Sequence, residues 1–164
     1  MIFVCAMTMA QTNAYPLLPM PQNYKVTDKS FAMGKVKLST PVLKSEWEAF
    51  IVNAGGELAD KAAAEIKVEL LPVIDGVKLN PDEAYRLSVS GKLIKIEAVT
   101  ERGVYWALQT LRQLEKKKGK KSLFAGCEIV DWPAFRIRGF MQDVGRSYIS
   151  VEELKREIEI LSRF

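Results

Sequence analysis

The chain has 164 residues, 48% hydrophobic and 27% charged, with a formal net charge of +4 and an isoelectric point near 9.0. These are the proportions of an ordinary globular chain with enough apolar residue for one core, and the length suits one full domain plus a fragment. Two cysteines define no disulfide framework, and with no histidine in the sequence a Cys/His zinc site and a histidine base are both excluded.

Met1 to Ala14 opens apolar, MIFVCAMTMA, and continues QTNA. This is the pattern of the end of a secretory signal peptide, a short hydrophobic region closing on small residues around Ala10 or Ala14. The basic segment that normally comes first is missing, so the start is expected to lie upstream. A lipidated Cys5 is the alternative, although only four residues precede it. The expected location is secreted or periplasmic, with a membrane-anchored lipoprotein as the second option. No run approaches the roughly 18 apolar residues of a membrane span.

Tyr15 to Pro21 holds three prolines and should run extended. Short strands are expected around Tyr24–Val26 and Lys35–Leu38. Ser45 and Glu48 fit a capping box, ahead of a helical face of Trp47, Phe50, Ile51 and Ala54 that ends at Gly55-Gly56. That phase makes Trp47 a core residue. Ile66, Val68 and Leu70 alternate with charges as a half-buried strand, and Asp75-Gly76 and Asn80-Pro81-Asp82-Glu83 are turns. Asp82-Glu83 reads as a plain surface turn.

A hairpin follows, with Tyr85, Leu87 and Val89 on one side of Gly91-Lys92 and Leu93 to Val99 on the other; Gly91 suits a type II′ turn. Glu101 to Glu115 is an amphipathic helix with Val104, Ala107, Leu108, Leu111 and Leu114 on its buried stripe. Lys116, Lys117, Lys118, Lys120 and Lys121 then read as a solvated loop around Gly119. A nucleic-acid surface would need interleaved aromatics or a recognisable module, and neither is present. Leu123 to Val130 is a closing strand.

Arg136 to Phe164 reads as one strand, one polar loop and one helix. The helix opens with a Ser150/Glu153 capping box and repeats Val151, Leu154, Ile158 and Leu161 at helical spacing. A strand and helix with no second strand form an incomplete βαβ unit, so the natural protein is expected to continue. The apolar face of that helix is expected to lack most of its partners.

Three stretches carry a resemblance. They are Asp131-Trp132-Pro133-Ala134-Phe135; Arg138 to Arg146 in the pattern R-G-x-x-x-D-x-x-R; and Thr100 to Leu114, TERGVYWALQTLRQL. Together with the P-x-P segment they resemble the family 20 glycoside hydrolases, the β-N-acetylhexosaminidases. Ser147 stands where many members have histidine, which leaves any role of that histidine in doubt.

The pattern of strands and helices implies an α+β fold, an antiparallel sheet with two helices on one face; the resemblance makes it the domain that precedes the first βα unit of a truncated TIM barrel. It divides the chain into a leader over 1–14, a non-catalytic domain over 15–130 and the start of the barrel over 131–164. It implies an exo-acting enzyme that removes terminal GlcNAc or GalNAc from glycans by substrate-assisted retaining hydrolysis, with no cofactor or metal. The partners are then an N-acetylhexosamine-terminated glycan and the rest of the barrel.

The family's adjacent catalytic Asp-Glu pair follows a later barrel strand, so no catalytic residue is expected in this chain, and the fragment alone should be inactive. Arg138 matches the arginine that binds hydroxyls of the terminal sugar. Read from the residues alone, it could equally be a structural arginine paired with Asp143 or with a carboxylate beyond Phe164. Asp143 and Arg146 read as an ion pair shaping the loop near the site, with an acid or base role the alternative for the carboxylate. A stand-alone glycan-binding or scaffolding module is the alternative to the enzyme.

Overall fold

The computed structural model describes residues 16–146 and 148–164; the leader-like segment with Cys5, and Ser147, lie outside the described residues. In chain order the elements are β1 (Asn23–Val26), β2 (Phe31–Ala32), β3 (Lys35–Ser39), α1 (Lys44–Asn53), β4 (Glu57–Leu58) and β5 (Ala64–Leu70). A 3₁₀ turn over Pro81–Glu83 leads to β6 (Tyr85–Ser90), β7 (Leu93–Ala98), α2 (Glu101–Gln113), β8 (Glu115–Lys118), β9 (Lys121–Phe124), β10 (Cys127–Asp131) and α3 (Val151–Leu161).

Period-two alternation builds the centre. In β6 and β7, Tyr85, Leu87, Val89, Ile94, Ile96 and Ala98 are buried, while Arg86, Lys95 and Glu97 point to the other face. Val36, Ile66, Val68, Cys127 and Ile129 extend the buried face across the sheet. The α2 stripe Val104, Ala107, Leu108, Leu111 and Leu114 packs onto it, as do Trp47, Phe50 and Ile51 of α1, in one contiguous cluster. Each large aliphatic side chain so buried contributes about 1.5–3 kcal/mol relative to exposure. Thr100 caps α2 by accepting from the Arg102 amide at 3.2 Å.

The seven-stranded sheet has the order β1-β10-β6-β7-β5-β3-β4. It is mixed, not antiparallel as expected. β1, β10, β6 and β7 pair antiparallel, whereas β7/β5, β5/β3 and β3/β4 pair parallel. The physical reason is the α1 crossover, which returns the chain to run beside β3 in the same direction. A three-stranded sheet, β2-β9-β8, brings Phe31 and Phe124 onto the same core.

Five local expectations are corrected. The lysine run is strand, not loop: β8 and β9 form a hairpin turning at Gly119, whose φ is +63°, because Ser122 and Phe124 face inward while the lysines stay in solvent. The single strand expected over 123–130 breaks at Gly126, where the backbone meets Lys29 and Thr27 so closely that an added Cβ would lie 2.4 Å from the Lys29 carbonyl oxygen.

Ser45 makes no capping box. The helix begins at Lys44 after a left-handed Leu43, which puts Ser45 inside the first turn, bonded to Glu46 at 2.8 Å. Gly91 lies in open space and outside the left-handed region, so the hairpin turn is not type II′.

Residues 136–142 form no strand. Their backbone joins no ladder among the described residues, and Ile137 and Met141 are 89% and 92% exposed. A strand needs neighbours to take its amides and carbonyls, and no described strand lies beside this segment. α3 forms with its capping box in both directions, Ser150 Oγ accepting from the Glu153 amide and Glu153 Oε2 from the Ser150 amide. None of its residues is buried.

Candidate functional site

The buried stripe of α2 leaves a second face free. Trp106, Gln109, Thr110 and Gln113 follow one another at helical spacing and line a pocket of about 310 Å³. The lining also includes Glu83 before β6, Tyr85 on β6, Asp131 at the end of β10, and Trp132 to Phe135 with Arg138.

At one end of the pocket is Glu83. It is only 8% exposed, so the expectation of a plain surface turn holds for neither its burial nor its partners. Asp82 is the outward residue, paired with Arg102 at 3.3 Å. Glu83 Oε2 accepts from Trp106 Nε1 at 2.9 Å and from Arg138 Nη2 at 2.6 Å. Arg138 Nη1 also donates to the Phe135 carbonyl at 2.7 Å, and its guanidinium carbon lies 5.4 Å from the centre of the Trp106 ring. A carboxylate this buried is tolerated because charge-assisted bonds replace its water.

At the other end, the Tyr85 hydroxyl lies 2.6 Å from Thr110 Oγ1 and 3.2 Å from Asp131 Oδ2. Asp131 Oδ1 accepts from the Gln22 amide at 3.0 Å. Burial pushes the Asp131 carboxyl above its usual range, against the bonds it accepts. Burial, and then the Asp131 charge, push Tyr85 well above the usual phenol range, so its hydroxyl keeps its proton.

Two further bonds fix the rim. Gln113 holds both the amide and the carbonyl of Leu18, at 2.9 and 2.8 Å, and Asn80 Nδ2 donates to the Pro133 carbonyl at 2.8 Å. Trp132 is buried beside Ile74 and Ala84.

Of the three residues singled out from the sequence, Arg138 lies in the pocket; Asp143 and Arg146 lie outside its lining on an exposed loop. Arg138 does not pair with Asp143. Its partner is Glu83. Asp143 Oδ2 accepts from Arg146 Nε at 2.5 Å, and Asp143 Oδ1 accepts from the Gly145 amide at 2.8 Å. The Gly145 amide first, and then Arg146, hold the Asp143 carboxyl below its usual range.

Sequence reasoning read Glu83 as part of a surface turn and gave Trp106 and Asp131 no role of their own in a site. One signal was available. Run back from β6, the parity of Tyr85, Leu87 and Val89 puts Glu83 in phase with buried residues. Elsewhere, burial pushes the Cys127 thiol up to about 12, which leaves it chemically inert at neutral pH. Among the described residues no cluster of acidic and cysteine side chains is placed to hold a metal ion, and no helix is long and apolar enough to cross a membrane.

This layered module, followed by a segment leading out through Trp132-Pro133, matches a family model described as glycosyl hydrolase family 20, domain 2, over residues 14–132. The chain belongs to that family.

Curated relatives include a β-hexosaminidase of Porphyromonas gingivalis, 28% identical over 90% of this chain and 21% of its own length. A β-hexosaminidase of Vibrio furnissii is 34% identical over 64% of this chain and 16% of its own. The chain thus spans about a fifth of the length of the curated relatives it matches.

Among solved structures, the exo-β-N-acetylglucosaminidase of Vibrio harveyi in complex with N-acetylglucosamine superposes with a TM-score of 0.70 at 32% identity, over 91% of this chain and 24% of that one. The β-N-acetylhexosaminidase of Bacteroides fragilis shares the fold with a TM-score of 0.72 at 24% identity, over 92% of this chain and 31% of that one.

Proposed function

We propose that this chain is the N-terminal part of an exo-acting β-N-acetylhexosaminidase that releases terminal GlcNAc or GalNAc by substrate-assisted retaining hydrolysis. The observation that carries the reading is continuity. The family match over 14–132 runs directly into Asp131-Trp132-Pro133-Ala134-Phe135 and the R-G-x-x-x-D-x-x-R pattern from Arg138 to Arg146, the motif order with which a family 20 barrel opens.

In that mechanism the substrate's own acetamido oxygen attacks C1 while a glutamic acid protonates the departing glycosidic oxygen. An adjacent aspartate orients the acetamide. Water then attacks C1 of the oxazolinium, and the same glutamate takes its proton. The sequence holds no H-x-G-G-D-E stretch, so on this reading residues 131–164 bring Arg138 and α3 to the opening of the barrel and not its reacting carboxyls, and 136–142 become its first strand only beside the rest of the barrel. Arg138 offers fixed N–H donors to vicinal hydroxyls of the terminal sugar, and the Asp143–Arg146 pair shapes the loop beside it. The leader-like start is read as secretion to the periplasm or beyond.

A chromogenic N-acetylglucosaminide tests the reading. The 164-residue chain is expected to show no turnover. The full-length protein carrying it is expected to cleave that substrate, and to leave a substrate without the acetamido group uncleaved. Turnover by the isolated chain, or equal cleavage of both substrates by the full-length protein, contradicts it.

A further inference from the structure

Glu83 and Arg138 are 55 residues apart, one inside the region matched as domain 2 and the other beyond it. Their pairing at 2.6 Å crosses from the module to the segment that leaves it. The guanidinium is held on three sides: Glu83 at Nη2, the Phe135 carbonyl at Nη1 and the Trp106 ring against its face. Even so, 37% of the arginine side chain stays open to solvent, so the grip does not use up its five donors.

The gripping groups stand on closely packed elements. The 3₁₀ turn and α2 approach so closely that a Cβ added at Gly103 would lie 2.2 Å from the Ala84 carbonyl oxygen. That close packing sets Glu83 against Trp106, and the indole N–H bond orients the carboxylate that receives Arg138.

We propose that Glu83, backed by Trp106, is a positioning residue that pre-orients the Arg138 guanidinium for binding sugar hydroxyls. This rests on the reading of Arg138 given above. It gives the module that carries no reacting group a direct part in turnover: an arginine already immobilised loses less freedom when substrate binds. Glu83 touches no sugar in this scheme and acts only through Arg138.

Two measurements test it. In the 164-residue chain, NMR of the Arg138 guanidinium and the Trp106 indole N–H should show slowly exchanging Arg138 signals. E83Q should abolish them while the indole, still bonded to the amide oxygen, keeps its shift. Unchanged Arg138 signals in E83Q overturn the pairing.

In the full-length protein, E83Q is expected to lower kcat/KM for a chromogenic N-acetylglucosaminide about tenfold, and to add nothing once Arg138 is alanine. Full activity of E83Q where R138A is impaired overturns the positioning role and leaves the sugar-binding role of Arg138 standing. Full activity of R138A overturns the reading beneath it, and the positioning role with it. Should E83Q fold poorly, W106F keeps an aromatic face but removes the indole donor. It is expected to lose activity in the same direction by a smaller factor, and unchanged activity counts against the proposal.

Discussion

The Tyr85 hydroxyl donates to Asp131 Oδ2 at 3.2 Å, joining the first residue of β6 to the last residue of β10 at the point where the chain leaves the module. Thr110 on α2 lies 2.6 Å from the same hydroxyl, so one phenol ties both strands to the helix.

The cost of that arrangement is the burial of Asp131. Its carboxyl is raised by desolvation, so over the window between the ordinary carboxyl range and its raised native value the folded chain binds more protons than the unfolded one. Its contribution to stability therefore falls as pH climbs through that window and is least favourable at neutral pH. D131N removes the charge and keeps one acceptor oxygen. The melting temperature of D131N relative to the parent is expected to be higher at pH 7 than at pH 4, read by thermal melts across that range. A difference that does not change with pH would mean that Asp131 titrates like an exposed carboxyl.

Glu97 has the opposite sign. It accepts from Lys95 Nζ at 2.5 Å and from Arg86 Nη1 at 3.1 Å on the polar face of the sheet, and the Lys95 bond is the first cause that holds its carboxyl below the usual range. Such a group stabilises the fold above the ordinary carboxyl range and ceases to do so as pH falls through its depressed native value. E97Q is expected to lose about 1 kcal/mol at pH 7, a modest figure because Lys95 and Arg86 are partly solvated, and the deficit is expected to shrink as pH falls through the carboxyl range. Urea unfolding across that range measures both.

How far the sequence carries is visible in these same residues. The β6–β7 hairpin and α2 were legible because each bears an uninterrupted apolar period, and every residue of the α2 stripe is buried. The parallel half of the sheet was not. Strand direction depends on where a crossover returns the chain, which no local period records. The lysine run misled because its inward residues, Ser122 and Phe124, lie on the second strand of the hairpin, while the lysines dominate the composition. Glu83 was hidden for a third reason: a buried glutamate is made acceptable by an indole and a guanidinium distant in sequence, and only the fold assembles that set.

Gly103 sits in α2 within the TERGVYWALQTLRQL stretch, where a Cβ would lie 2.2 Å from the Ala84 carbonyl oxygen. Alanine is the better helix former by about 1 kcal/mol, so propensity alone favours G103A. The obstacle is backbone, which cannot swing aside as a side chain tip would. Overpacking against it is expected to win, with a net loss of about 2–3 kcal/mol. G91A serves as control, since nothing lies within 4 Å of that Cβ, and is expected to stay within about 0.5 kcal/mol of the parent. Chemical denaturation of the pair decides it. A G103A chain as stable as the parent would show that α2 can move off the 3₁₀ turn.

The segment after Phe135 has a different kind of stability from the module before it. Residues 136–142 join no ladder, and α3 buries none of its residues. An isolated helix of this length is marginal in water even with a capping box. What ties the end of α3 down is the Tyr105 hydroxyl donating to the Ser162 carbonyl at 2.7 Å. Hydrogen exchange is therefore expected in a definite order: residues 137–142 fastest, α3 next, and β6, β7 and α2 slowest, opening only with the whole fold. Y105F deletes the tether and should accelerate exchange across 154–162 without changing the slow amides of 86–97. Were 137–142 protected to the level of β6, that stretch would have found a strand neighbour, and the exposed Ile137 and Met141 make a second copy of the chain the first place to look. Exchange measured at two protein concentrations separates that case from pairing within one chain, because only association slows with concentration.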